Sequence, residues 1–305
     1  MEWVPGDLGV SVFFVLSGFL ITWLLFKEED RTGYVSIKSF YIRRILRIFP
    51  AYYVFLAVSI GFDYVRGYRW DHALIYSGVF YVTNYYNALH GHPPTAIAHA
   101  WSLAIEEQFY LLWPFLFLMF RRRKEFLICA IVTVLLWRTY LYGFRGVSTA
   151  YVYNAFDTRF DNLAIGCLLA TLLHSGKFPR LLLNPSNPVA LLTLGLLVVS
   201  RSFSSQLYHY TLGFTVDALL ISIVVVQAIL LQDSSLWRWL EHPVIRYIGT
   251  ISYPMYLYHI WGIGAALRLH VWPLPTAIVI TVLLATGSYY LIEKPFLRLK
   301  SRWNV

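Results

Sequence analysis

Five stretches of this 305-residue chain set charged or titratable side chains among apolar ones, and each suggests its own chemistry. In SFYIRRILRIFPAYY, Arg44 and Arg47 stand three apart and Arg43 and Arg47 four apart, so on a helix they share a face. Guanidinium groups gathered in this way suit bidentate binding of phosphate, although ordinary cytoplasmic-loop charge on snorkelling stems accounts for the same pattern. In HAWSLAIEEQFYLLWP, Glu106 and Glu107 open an apolar run, with Tyr110 one turn beyond Glu106. A carboxylate there can act as a general base or orient one, and the positive end of a helix dipole is the plainer reason for an acid at that place. NAFDTRFDNLAIG brings Asp157, Arg159 and Asp161 to the entry of another run, where each acid is expected within reach of the arginine as an ion pair.

ISYPMYLYHIW puts Pro254 at a helix start and His259 five residues on, a side chain that titrates near neutrality or packs through a hydrogen bond. Glu293 stands just before Pro295 in YYLIEKPFLRLKSR, where an electrostatic anchor explains it. Arg138 and Asp217 lie mid-run without a sequence neighbour to pair with, so partners across helices are expected. No acid completes a zinc pattern around His90, His92 and His99, and no metal is expected.

The elements that must position these groups are membrane helices. Of the chain, 58% is hydrophobic and only 13% charged, against about 25% charged in soluble proteins. Mean hydropathy is +0.57. Apolar runs cover Leu8 to Phe26, Phe49 to Phe62, Leu103 to Phe120, Phe126 to Tyr142, Phe160 to His174, Val189 to Ser200, Thr211 to Leu231, Thr250 to Leu269 and Leu274 to Ile292. The expectation is an all-α polytopic integral membrane protein of about nine transmembrane helices with short loops. No repeat or low-complexity linker divides it, so residues 1–305 read as one domain. Cys129 and Cys167 lie inside apolar runs and offer no disulfide framework.

The net charge of +9 falls mostly in loops: 18 of the 25 Lys and Arg, Arg180 and Arg302 among them, lie in alternate loops if Ala73 to Ala88 does not cross. The positive-inside rule then puts those loops and the C-terminus in the cytoplasm and the N-terminus outside. The charge thus faces the membrane surface, and no nucleic-acid partner is called for. An outside N-terminus beginning at Met1 asks for one more upstream helix, which would bring the count to ten.

Taken in chain order, GVSVFFVLSGFLITWLL (Gly9 to Leu25), RRILRIFPAYY, WSLAIEEQFYLLWP, TRFDNLAIG, SYPMYLYH and LIEKPF resemble the successive signatures of the membrane-bound acyltransferase-3 family. Members of that family O-acylate sugars, cell-surface polysaccharides, lipids or secondary metabolites in the cell membrane. The resemblance implies that Arg44 and Arg47 hold the phosphates of cytoplasmic acyl-CoA, acetyl-CoA first among the donors, and that Glu106 is the catalytic-site carboxylate. It carries over His259 as a second catalytic candidate, and Arg159, Asp161 and Tyr110 as cavity residues. No bound cofactor is implied, since acyl-CoA is itself a substrate.

Full-length members resemble one another in a further first span with an arginine near its start and a histidine, the expected general base, near its end. Here only a few residues precede the G-x-x-G-V-x-x-FF motif, so the sequence is expected to be an N-terminally truncated form, or a short paralogue in which His99 or His259 substitutes. The reading is a membrane O-acyltransferase that moves an acyl group from acyl-CoA to a carbohydrate hydroxyl. The alternatives are a transporter for a glycolipid or acyl donor, and an inactive remnant.

Overall fold

The computed structural model describes residues 6–179, 187–203, 205–234, 236–269 and 272–300. Arg180 and Arg302, counted above among the basic loops, lie outside the described residues. Every regular element among the described residues is helical. In chain order they are α1 (Gly6–Thr32), α2 (Ile37–Val65), α3 (His72–Val79), α4 (Thr83–His90), α5 (Trp101–Met119), α6 (Arg123–Gly143), α7 (Thr149–Asn154), α8 (Phe156–His174), α9 (Asn187–Ser202), α10 (Gln206–Leu230), α11 (Pro243–Thr250), α12 (Ser252–Leu269) and α13 (Pro273–Leu299).

Five of these, α1, α2, α6, α10 and α13, are long and apolar enough to cross a membrane. The other expected spans coincide with α5, α8, α9 and α12, which are shorter or less uniformly apolar. This is the architecture of a multi-pass helical membrane protein. The expected span at Phe49 to Phe62 lies inside the much longer α2, so the arginine segment is itself helical and continuous with the crossing. The segment Ala73 to Ala88 forms two helices of eight residues each, α3 and α4. At 1.5 Å per residue each is about 12 Å long, too short for a hydrocarbon core of about 30 Å.

The chain forms two compact units. The first comprises Met1–Val35, Tyr81–His92 and Trp101–Arg238, and so holds α1 and α4 to α10. Its centre is the contact between α1 and α8, made backbone to backbone. A Cβ at Gly18 would strike the Leu163 carbonyl, and one at Gly166 would strike that of Val15. Small residues are what let membrane helices approach this closely, because lipid supplies no hydrophobic force between them. Gly33, at φ 77°, closes α1 in a conformation that costs a glycine nothing. Beyond it Arg123 of α6 grips Glu29 with two hydrogen bonds of 3.0 and 2.9 Å.

The second unit comprises Ser36–Phe80, Pro93–Ala100 and Trp239–Val305, and holds α2, α3 and α11 to α13. Ser36 caps α2, its side chain accepting from the Ser39 N–H at 3.2 Å. The α12–α13 contact repeats the glycine device, since a Cβ on Gly262 would meet Thr281 and the Ala277 carbonyl. Tyrosine hydroxyls tie the rest together. Tyr52 donates to the Gly78 carbonyl at 2.8 Å, Tyr53 to that of Val79 at 2.9 Å, and Tyr253 of α12 to that of Ile48 at 2.9 Å.

Candidate active site

The expected site residues divide between the units. Glu106, Tyr110, Arg159 and Asp161 belong to the first, Arg44, Arg47 and His259 to the second.

In the first unit Glu106 sits in the second turn of α5, 3% exposed, past the first-turn amides on which a dipole effect depends. Tyr110, one turn on, and Ser17 of α1 both donate hydroxyls to its Oε1, and Tyr110 also reaches the Ser17 Oγ at 3.3 Å. Two hydroxyl donors on one carboxylate oxygen fix its direction. The arrangement is a buried acceptor of protons, aimed by its neighbours.

The acids near Arg159 pair differently from the sequence expectation. Asp161 does not pair with Arg159 but with Arg138 of α6, at 2.9 and 3.0 Å from Nη1 to the two carboxylate oxygens. Both side chains are fully buried. Arg138 also donates to the carbonyls of Thr158 and Thr211, at 2.7 and 2.9 Å, and to Thr215 Oγ1 at 2.5 Å. Asp157 accepts from the Trp137 indole at 2.8 Å. The reason is helical geometry: residues two apart point to different sides, so neither Asp157 nor Asp161 faces Arg159.

Arg159 therefore stands in a different environment, fully buried among rings. Its guanidinium carbon lies 3.8 Å from the Phe214 ring centroid and 5.7 Å from those of Phe14 and Tyr153. Nη2 donates to Ser11 Oγ at 3.2 Å, while Nε and Nη1 have no hydrogen-bond partner. Asn162, one turn along α8, is buried with both amide atoms likewise unpartnered. A buried cation with spare donors, next to a spare amide, is suited to holding substrate oxygen.

Of a further cluster in this unit, sequence reasoning singled out only Asp217. Arg201 Nη2 lies 2.5 Å from Asp7 Oδ1, Asp7 Oδ2 is 3.3 Å from His209 Nε2, and Arg201 Nη1 is 3.3 Å from Asp217 Oδ2. Asp217 thus has the cross-helix partner expected of it. Asp7 and Arg201 are separated by 194 positions, and no linear pattern joins them.

In the second unit Arg44 and Arg47 lie in the N-terminal half of α2, Arg44 with its guanidinium 5.7 Å from the Phe40 ring. Glu293, expected as a simple anchor, is buried, with Arg47 as the countercharge acting on it. His259 Nδ1 lies 2.7 Å from the Tyr256 carbonyl. That contact assigns the proton to Nδ1 and leaves Nε2 as the basic nitrogen. Its ring centroid is 4.7 Å from that of His99, in the segment linking α4 to α5. Burial, and then the His259 imidazole, push the His99 pKa below the usual histidine range. Two imidazoles so close cannot both carry charge cheaply. The other two histidines of the set, at 90 and 92, do different things, His92 meeting Asn87 at 3.3 Å and His90 stacking on Tyr86.

A membrane bundle with a buried, aimed carboxylate and a buried, incompletely paired arginine defines the class: a multi-pass helical protein that keeps charged groups in its interior. Residues 3–293 match the family described as "Acyltransferase domain", the acyltransferase-3 family, and the chain belongs to it. It is 30% identical over 330 residues to the peptidoglycan O-acetyltransferase OatA of Listeria monocytogenes, covering 96% of this chain and 52% of that protein. It is 29% identical to the putative peptidoglycan O-acetyltransferase YrhL of Bacillus subtilis, over 96% of this chain and 51% of that one. Identity to the putative O-acetyltransferase SACOL0978 of Staphylococcus aureus is also 29%, over 97% and 53%. The chain therefore spans about half the length of the curated relatives it matches. No solved structure matches it.

Proposed function

We propose that this chain is the membrane part of an O-acetyltransferase that takes an acetyl group from cytoplasmic acetyl-CoA and delivers it to a hydroxyl of a cell-wall carbohydrate, peptidoglycan being the acceptor that its relatives suggest. The observation that carries this reading is Glu106, a buried carboxylate aimed by Ser17 and Tyr110 in a chain of an acyltransferase family. The reaction breaks the thioester C–S bond, forms an ester C–O bond, and passes the acceptor's hydroxyl proton to the departing thiolate. Two groups have the means to carry that proton: Glu106, and His259 through Nε2. Arg44 and Arg47 supply paired guanidinium groups on one helix face for the donor's phosphates. Arg159, with Nε and Nη1 uncommitted, is placed to receive the negative charge that grows on the acyl oxygen as the hydroxyl attacks. A dry interior protects the thioester from water.

The test is transfer of labelled acetyl from acetyl-CoA to glycan fragments by the purified protein in nanodiscs. Glu106→Gln is expected to keep the fold and lose at least two orders of magnitude in turnover. A Gln variant of unchanged turnover removes Glu106 from the reaction. Passage of an intact glycolipid across the bilayer, with no acetyl consumed, would make the protein a transporter.

A further inference from the structure

The acids around the start of α8 are already committed. Asp161 gives both oxygens to Arg138, and its Oδ2 also accepts from Thr215 at 2.6 Å. Asp157 accepts from the Trp137 indole at 2.8 Å and from the Tyr151 hydroxyl at 3.4 Å. Asp7 of α1 is held by Arg201 and His209. None of the three accepts from Arg159, whose charge is eased instead by the rings of Phe214, Phe14 and Tyr153. A ring takes the flat of a guanidinium and leaves its N–H edge free, so a fully buried side chain keeps Nε and Nη1 unpartnered.

Asn162 adds a second unmet group. It follows Arg159 by three positions on α8, so the two share a helix face, with Cβ atoms about 5–6 Å apart. It is 0% exposed, and both atoms of its amide lack a hydrogen-bond partner. Asparagine is a weak helix former, and burying an unmet amide is costly, so packing alone would favour an alanine or leucine at this place. A buried cation without a countercharge, beside a buried amide without a partner, calls for an oxygen that carries negative charge and comes from outside the chain.

We propose that Asn162 is the second donor of an oxyanion site, its Nδ2 joining Arg159 Nε and Nη1 on the acyl oxygen of the thioester. The inference rests on the acetyltransfer reading for the identity of that oxygen, and on the two unmet side chains for the site itself. When the hydroxyl oxygen bonds to the thioester carbon, the π pair of the C=O bond moves onto the acyl oxygen and the hydroxyl proton passes to the base. When the tetrahedral species collapses, that pair re-forms C=O, the C–S bond breaks, and the thiolate takes up the proton. The negative charge exists only between these two events, so donors that meet it raise turnover without tightening the hold on acetyl-CoA. A carboxylate at this position would neutralise Arg159 in the resting protein and take the place meant for the acyl oxygen, whereas an amide leaves that place open.

The test uses the full chain in nanodiscs and two variants. Asn162→Leu removes the donor: kcat should fall about a hundredfold with KM for acetyl-CoA within about twofold of the parent, and the melting temperature should not fall. Asn162→Asp keeps the shape and gives Arg159 a countercharge, so it should melt above the parent and lose at least as much turnover. A purely structural amide predicts the opposite, a loss of stability in both variants and an unchanged rate in whatever folds. Unchanged kcat in either variant, or a lower melting temperature in Asn162→Asp, overturns the proposal, and the aspartate variant decides it if the leucine variant does not fold. An infrared readout needs no turnover. The probe is the unreactive ketone in which a methylene replaces the sulfur of acetyl-CoA, isotope-labelled at its carbonyl carbon; its carbonyl stretch should lie at lower frequency on the parent than on Asn162→Leu. That difference, in a parent that transfers no acetyl, would sink the acetyltransferase reading and leave the oxyanion site standing. Transfer by the parent, with equal frequencies and equal kcat in the two proteins, would do the reverse.

Discussion

Replacing Asp161 by asparagine should damage the first unit more than almost any other single change. Asp161 and Arg138 are both 0% exposed, and the arginine is held by two bonds to the carboxylate, two to backbone carbonyls and one to Thr215. The amide keeps the shape and removes the countercharge, and breaking a buried pair from one side costs about 3–5 kcal/mol. Arg138→Met should cost about as much, because it strands the carboxylate together with the Thr158 and Thr211 carbonyls. Combining Arg138→Met with Asp161→Asn removes both charges and leaves only neutral groups unmet, so the double variant should be more stable than either single one. The coupling energy is then about 3 kcal/mol or more, well above the ~0.6 kcal/mol average for hydrogen bonds between membrane helices. Reversible unfolding in bicelles, read by steric trapping, measures all four corners of the cycle. If the two single effects add to within about 0.5 kcal/mol in the double variant, the pair is not a coupled charge centre and the reasoning fails.

Gly166→Ala should cost about 3 kcal/mol or more, because the new Cβ meets the Val15 carbonyl and no rotamer can turn it away; a wild-type melting curve for this variant would contradict the packing described. Arg44→Ala and Arg47→Ala should each raise the KM for acetyl-CoA about tenfold, with a smaller effect on expression, and unchanged KM in both would remove them from the donor site. The His99 imidazole has a folded pKa below its unfolded value near 6.5, so the folded state resists protonation and its stability is full above pH 6.5 and declines as pH falls below that. At about 1.4 kcal/mol per pH unit, roughly 2 kcal/mol is lost by pH 5. Thermal melts of the parent and of His99→Gln should show a steeper acid-side slope in the parent, and equal slopes would refute it.

Hydropathy found the helices of this chain because a lipid-facing helix is apolar on nearly all sides and announces itself in composition. The short α3 and α4 were legible from Asn84, Asn87 and the HGHPP that follows, which break a run too polar to cross. Pairings were legible only in part. Glu106 and Tyr110, four apart, meet as helical periodicity requires, yet Ser17, 89 positions from Glu106, had no reason to be singled out in a run of apolar residues. Asp161 is close to Arg159 in sequence, but two positions along a helix turn the side chains to different sides. Arg138, 23 positions away, is its true partner, and only the packing of α6 on α8 makes that pairing visible. His99 was noted as one of a loose group of histidines, and its contact with His259 arises from a fold, not a spacing.

The glycine contact between α1 and α8 has a further consequence for how the first unit can move. Ser11 and Ser17 lie on α1, six positions or about 9 Å of axis apart; one anchors Arg159 and the other Glu106. Because α1 and α8 meet backbone to backbone at Gly18 and Gly166, neither can slide past the other there without a clash. The two polar anchors therefore keep a constant offset, like marks on a rule. Any breathing of the unit that admits or releases a substrate has to be borne by helices other than this pair. Amide hydrogen exchange should accordingly be slowest along α1 and α8 and faster in the helices that flank them.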